Sequence, residues 1–85
     1  MAPLRSDTRY FAGNLRAARM ARGLTQADLG AHAGFTQQRI SQLECGYRPS
    51  PPHVVRLARA LNLTVDDLLH APRDPLLVVE VDHAA

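Results

Sequence analysis

Three glutamines and an arginine stand within six consecutive residues, where their side chains could read the edges of DNA bases. They are Gln37, Gln38, Arg39 and Gln42. A glutamine amide can pair with N6 and N7 of adenine, and an arginine guanidinium can pair with O6 and N7 of guanine. Gln38 and Gln42 are one helical turn apart, so a helix would place them on one face. The pattern favours a base-reading helix over the alternative, which is an ordinary solvated surface of helix-forming glutamines.

The residues around this cluster predict two short helices joined by a tight turn. Gly34 can adopt the left-handed conformation that ends a helix. Thr36 can cap the next helix with its hydroxyl. Apolar residues recur at helical spacing on both sides of the turn, at Ala27, Leu29, Ala33, Ile40 and Leu43. Two helices joined by a short turn that contains glycine form a helix-turn-helix, whose second helix enters the DNA major groove.

The chain resembles the Cro and phage-repressor family of bacterial helix-turn-helix proteins, the Xre family, from about Arg9 to Leu69. The stretch from Thr36 to Glu44 is especially similar to repressors of lambdoid phages. The resemblance implies an all-α fold with a five-helix lambda-repressor-like DNA-binding domain. It is carried by Leu15, Arg19, Gly23-Leu24-Thr25-Gln26, Leu29, Gly34, Ile40, Glu44, Gly46, Arg48-Pro49-Ser50, Leu57-Ala58-Arg59-Ala60-Leu61 and Val65-Asp66-Asp67-Leu68-Leu69.

The resemblance assigns DNA contacts to four glutamines. It implies that Gln37 and Gln38 face base edges in the groove and that Gln42 reaches them from the next turn. Gln26, at the start of the preceding helix, would bond a phosphate and brace Gln37.

The resemblance also assigns roles to four charged residues. Arg39 replaces a small polar residue of the nearest relatives, and it would either read guanine or clamp a phosphate. Arg48, in the loop after the motif, would contact a phosphate or the minor groove. Arg19 and Glu44 match a structural ion pair that orients the recognition helix and performs no chemistry.

The predicted starts of the five helices coincide with residues that can cap a helix. The expected caps are Ser6 or Asp7, Thr25, Thr36, Ser50 and Thr64, with Asp28 completing a capping box and Pro51 at a first helical position. The family usually has alanine where this chain has Gly30. The missing methyl group either lets the two motif helices pack closer or weakens the helix, since glycine costs about 1 kcal/mol against alanine there.

Composition indicates one small globular domain. The chain has 85 residues and is 46% hydrophobic, without an apolar run long enough to span a bilayer and without an apolar stretch at its start. All ten basic residues are arginines, concentrated in residues 1–60, whereas residues 61–85 are acidic, which suits contact with phosphates on one face. A single cysteine, Cys45, favours a reducing, cytoplasmic location.

The sequence predicts no catalytic site, no metal site and no cofactor. Its four histidines are widely spaced and lack a metal-ligand pattern, and no catalytic triad, carboxylate pair or phosphate-binding loop is recognisable. We expect Cys45 to be a bystander thiol, because a redox switch would need an exposed thiol with a low pKa.

The expected organisation is an N-terminal arm over residues 1–8, a helix-turn-helix domain over residues 9–71 and a C-terminal tail over residues 72–85. The tail contains Leu-Leu-Val-Val-Glu-Val at positions 76–81, a candidate dimerisation strand. The main hypothesis is a sequence-specific transcriptional regulator, a repressor that binds double-stranded DNA as a homodimer on a palindromic operator. The alternatives are an antitoxin-like module that pairs with a partner protein through this tail, and a domain that retains the fold without binding DNA.

Overall fold

The computed structural model describes residues 8–71, which form five α-helices after a short 3-10 turn at Thr8–Tyr10. The helices are α1 (Phe11–Ala21), α2 (Gln26–Ala33), α3 (Gln37–Glu44), α4 (Pro51–Ala60) and α5 (Val65–Leu69), and no strand occurs within the described range. The predicted all-α class with five helices is therefore confirmed. The strand-like tail and all but the last residue of the N-terminal arm lie outside the described residues.

One apolar core holds the five helices together. Its buried side chains come from every helix and from the residue after α4: Phe11, Leu15, Leu29, Ala33, Ile40, Leu43, Val54, Leu57, Ala58, Leu61, Leu68 and Leu69. Burying one leucine of this kind is favourable by about 1.5–3 kcal/mol. Helix α3 contributes only Ile40 and Leu43, so the rest of its surface is available for other contacts.

Three of the five predicted caps form as expected. The Thr25 hydroxyl accepts the Asp28 backbone N–H, while the Asp28 carboxylate accepts the Thr25 backbone N–H, both at 3.0 Å. Thr64 and Asp67 build the same capping box at the start of α5. The Thr36 hydroxyl accepts the backbone N–H of the third residue of α3 at 3.0 Å. These bonds satisfy N–H groups that have no partner within the helix.

Of the other two predicted caps, the one at Ser50 does not form, and the one at Ser6 or Asp7 is not tested by the described residues. Ser50 occupies the N-cap position of α4, but its side chain makes no capping hydrogen bond. Pro51 and Pro52 fill the first two helical positions and have no N–H to donate, so fewer groups at this end need a partner. The α-helical part of α1 begins after Tyr10, which also makes no side-chain cap. The predicted caps Ser6 and Asp7 lie outside the described residues.

The turn between α2 and α3 brings the backbone unusually close to Gly30. Gly34 adopts a φ of 79° and ends α2, as predicted. The backbone N–H groups of Gly34 and Phe35 both donate to the Gly30 carbonyl at 2.8 Å. A Cβ atom at Gly30 would lie 2.5 Å from the Phe35 carbonyl oxygen. Of the two sequence interpretations of Gly30, the structure supports closer packing of the motif.

Candidate nucleic-acid interface

The outward face of α3 presents a row of amide side chains. Because successive residues of a helix are rotated by about 100°, the side that carries Ile40 and Leu43 into the core lies nearly opposite Gln38. Gln37 and Gln38 are exposed, and Gln42 is half-buried on the next turn of the same face. The three glutamines predicted to read bases therefore share one accessible surface.

Two further residues of α3 border this row. Arg39 is exposed, and its guanidinium makes no hydrogen bond to any described residue. It is free to reach a phosphate or a base. Ser41, four residues after Gln37, is half-buried on the same face. The sequence interpretation omitted Ser41, although its spacing from Gln37 places it there.

A hydrogen bond between side chains holds Gln37 against the start of α2. The Gln37 Nε2 donates to Gln26 Oε1 at 2.8 Å. The Gln26 Nε2 in turn donates to Glu44 Oε1 at 3.2 Å. Gln26 is half-buried, and it thereby joins the first residue of α2 to both the first and the last residue of α3.

The ion pair between Arg19 and Glu44 anchors the end of α3 to α1. Arg19 Nε donates to Glu44 Oε2 at 2.6 Å and Nη2 donates to Oε1 at 3.1 Å, a bidentate arrangement. Arg19 Nη1 also donates to the Leu24 carbonyl at 2.8 Å. The side chains of Arg19 and Glu44 are only 12% and 5% exposed. The hydrogen bond to Glu44 raises the pKa of Arg19 above its usual value, although burial opposes the shift.

Arg48 lies on the loop after α3, beside a cleft of about 210 Å³ that separates this loop from the start of α1. Arg48 and Tyr47 are exposed on one side of the cleft, and Arg9 is exposed on the other. The Arg9 guanidinium carbon lies 5.8 Å from the centroid of the Tyr10 ring. Arg9 was not among the predicted contact residues, although the excess of arginine near the start of the chain was a signal for it. The cleft thus carries positive charge on both walls.

A small cluster beneath the turn connects the motif to α4. The rings of Phe35 and His53 meet edge to face, with their centroids 5.1 Å apart. Arg56 covers the Phe35 ring at 4.9 Å, and its Nη1 donates to the Gly34 carbonyl at 3.5 Å. No sequence pattern marked this cluster, because Phe35 lies in the turn while His53 and Arg56 lie in α4, about twenty residues later. It supports the turn that sets the angle between α2 and α3.

Other functional chemistry is sparse in the described part of the chain. Residues 8–71 contain no group of three or more histidine, cysteine, aspartate or glutamate side chains that could hold a metal ion. None of the helices in this range is long and apolar enough to cross a membrane. Cys45 is exposed at the end of α3.

The chain is similar to proteins of known sequence and of known structure. An uncharacterized HTH-type transcriptional regulator, y4dL, of Sinorhizobium fredii is 42% identical over 59 residues, which cover 68% of this chain and 30% of that protein. This chain therefore matches less than a third of the relative's length. The crystal structure of a hypothetical transcription factor, NHTF, from Neisseria has the same fold, with a TM-score of 0.72 over 92% of this chain and 87% of that chain, at 20% identity.

The family model described as helix-turn-helix matches residues 15–68, more than half of the chain. The match runs from Leu15 in α1 to Leu68 in α5, so it contains both motif helices and the ion pair that supports them. The protein belongs to the helix-turn-helix family of Cro and phage-repressor type.

Proposed function

We propose that the protein is a sequence-specific DNA-binding transcriptional regulator. The observation that carries this proposal is the accessible row of Gln37, Gln38 and Gln42 on α3. A surface that merely keeps a helix in solution does not need its first amide fixed by a hydrogen-bonded brace. Gln37 has such a brace in Gln26, which in turn is bound to Glu44. A fixed amide suits recognition, because orientation decides which base edge it can pair with.

In this proposal α3 enters the major groove and the surrounding residues hold it there. Gln37, Gln38 and Gln42 contact base edges, which supplies sequence preference. Arg39 and Arg48 contact the phosphates on either side. Phosphate contacts set the register of the protein on the duplex but carry no sequence information themselves. Gln26 braces Gln37 and also contacts a phosphate, since one hydrogen of its amide group remains after the bond to Glu44.

We further propose a homodimer that binds a palindromic operator and represses transcription by occluding a promoter. One recognition helix reads only a few base pairs, too few to define one site in a genome. Two such helices about 34 Å apart would read successive major grooves on one face of the duplex. The proposed location is the cytoplasm, where bacterial operators are found, and the proposal includes no enzymatic activity.

Replacing Gln37 tests the DNA-binding part of this proposal. A preferred sequence is first selected from a random duplex pool with the full chain. Gln37→Ala should then weaken binding to that sequence by about 1–3 kcal/mol and relax the preference at one base pair per half-site. Affinity for random DNA should barely change, and binding of both duplexes should weaken steeply as salt rises. Equal losses on selected and random DNA would contradict base reading by Gln37.

Sedimentation tests the homodimer. The full chain and a chain ending at Pro72 are compared at the same micromolar concentration. If the tail at 76–81 pairs about a two-fold axis, the full chain should be dimeric and the shorter one should shift toward monomer and bind the operator more weakly. An equally tight dimer of the shorter chain would show that the helices alone hold the pair. A monomeric full chain on its selected DNA would refute the dimer.

A further inference from the structure

We propose that Glu44, which does not face the groove, decides which base Gln37 prefers. The carboxylate acts through Gln26 to fix which end of the Gln37 amide is free, and the free end matches adenine rather than guanine. Glu44 is thus a positioning residue for base recognition as well as half of an ion pair. The inference rests on the proposed DNA-binding function and adds a source of specificity to it.

The first step is the orientation of the Gln26 amide. An ionised carboxylate can only accept hydrogen bonds. Arg19 occupies both oxygens of Glu44 with donors at 2.6 and 3.1 Å, and it holds the carboxylate in a site where the side chain is only 5% exposed. The Gln26 group 3.2 Å from Glu44 Oε1 must therefore be its NH2. The Gln26 carbonyl is consequently turned toward Gln37.

The second step carries this orientation to Gln37. An amide carbonyl oxygen is an acceptor, so Gln37 must present its NH2 to Gln26, and Nε2 lies 2.8 Å from Oε1. One N–H of Gln37 is consumed by this bond. The Gln37 Oε1 accepts from no residue in the range 8–71. The exposed end of Gln37 therefore offers one acceptor and one remaining donor.

The third step compares that end with the two purines. Adenine presents a donor at N6 and an acceptor at N7, so it needs one acceptor and one donor. Guanine presents two acceptors, O6 and N7, so it needs two donors. Gln37 has only one N–H left. If the hydrogen-bond direction were reversed, the carbonyl would be consumed by Gln26 and the whole NH2 group would face the groove, which suits guanine.

Two variants interrupt this chain of hydrogen bonds at different points. Glu44→Gln keeps the shape of the side chain but adds a donor, so Gln26 no longer has a fixed direction. Gln26→Met removes the link to Gln37 and leaves the pair of Arg19 and Glu44 intact. Arg19→Lys is the matched control, because it weakens the same ion pair but retains a carboxylate at Glu44. Thermal melting of each variant identifies the temperature at which all of them are folded.

The measurement is the ratio of affinities for adenine and guanine at the base pair whose preference Gln37→Ala relaxes. The native chain should prefer adenine roughly 5- to 150-fold, the discrimination of one bidentate pair. Both Glu44→Gln and Gln26→Met should reduce this ratio toward unity, while preferences at the other base pairs persist. Arg19→Lys should keep the native ratio even though its melting temperature falls. If Glu44→Gln is too unstable to assay, Gln26→Met decides the outcome.

The outcomes separate the two proposals. An unchanged ratio in Gln26→Met, or in folded Glu44→Gln, would overturn the role of Glu44. A loss in Arg19→Lys equal to that in Glu44→Gln would also overturn it, because the ion pair would then act only by orienting α3. A native chain that selects no sequence from the random pool would instead refute the proposed function itself.

Discussion

Gly30→Ala should destabilise the protein, although alanine is the better helix former. Gly30 is buried inside α2, where the Phe35 backbone crosses it. The added Cβ would lie 2.5 Å from the Phe35 carbonyl oxygen and 3.3 Å from the carbonyl carbons of Phe35 and Thr36. All three atoms belong to the backbone, so no side chain can rotate away to make room. Either α2 or the turn must move.

The magnitude follows from two opposing effects. Alanine gains about 1 kcal/mol over glycine in a helix interior. Overpacking a tightly packed site costs typically about 1–3 kcal/mol. The cost at Gly30 should be in the upper part of that range, because the turn that must shift is held by two backbone hydrogen bonds to the Gly30 carbonyl at 2.8 Å. We expect a net loss of about 1 kcal/mol, which lowers the melting temperature of a domain this small by roughly 4–8 °C.

Gly13 provides the matched control. It lies within α1, it is exposed, and a Cβ atom there would meet nothing within 4 Å. Gly13→Ala should therefore raise the melting temperature by a few degrees, whereas Gly30→Ala lowers it. Thermal unfolding is followed by circular dichroism, with the two variants and the native chain in one buffer. It shows whether each substitution raises or lowers the melting temperature. An equal rise in both variants would refute the close approach of the turn to α2.

Three further changes test other contacts. Arg19→Ala should lower the melting temperature strongly. The loss in free energy of unfolding should be smaller than the about 3–5 kcal/mol of a fully buried pair, since the Arg19 side chain is 12% exposed. An unchanged melting temperature with lost DNA binding would instead put Arg19 at the DNA. Hydrogen bonds from Thr25 lower the pKa of Asp28 in the folded protein. Its carboxylate therefore stabilises the fold at pH values above its ordinary pKa of about 3.9. That contribution is lost as the pH falls through the lower pKa of the folded state. The melting temperatures of Asp28→Asn and the native chain should therefore converge on acidification, and a constant gap would contradict this linkage. Arg56→Ala should lose about 0.5–1 kcal/mol in chemical denaturation by removing the contact with Phe35, and unaltered stability would show that the contact contributes nothing.

Features that depend on neighbours in sequence could be predicted from the chain alone. The caps at Thr25, Thr36 and Thr64 require only a hydroxyl and a backbone N–H three residues later. Gly34 ends α2 because glycine tolerates its positive φ. The Ser50 side chain makes no capping hydrogen bond, although His53, three residues later, has a backbone N–H; the two prolines between them lack only the N–H groups of the first two helical positions.

Contacts between distant residues could be predicted only where a resemblance supplied them. The pairing of Arg19 with Glu44 and the brace between Gln26 and Gln37 came from the likeness to phage repressors, not from spacing. Asn14 was missed, although its Nδ2 donates to the carbonyls of Leu68 and His70 at 2.9 and 2.6 Å and so fastens α5 to α1. No periodicity marks such a residue, because its partners are backbone atoms more than fifty positions away.

The stability of α3 and its ability to read bases depend on the same contacts. A helix of eight residues is marginal in water by itself, since isolated helices shorter than about 12–15 residues rarely persist. With only Ile40 and Leu43 in the core, α3 also relies on polar contacts at its ends. Gln26 contacts the first residue of α3 and Arg19 contacts the last, and both contacts converge on Glu44. Substitutions of Gln26 or Glu44 should therefore alter melting temperature and base preference together. Arg19→Lys should lower the melting temperature alone, and substitutions at Gln38 should alter base preference alone.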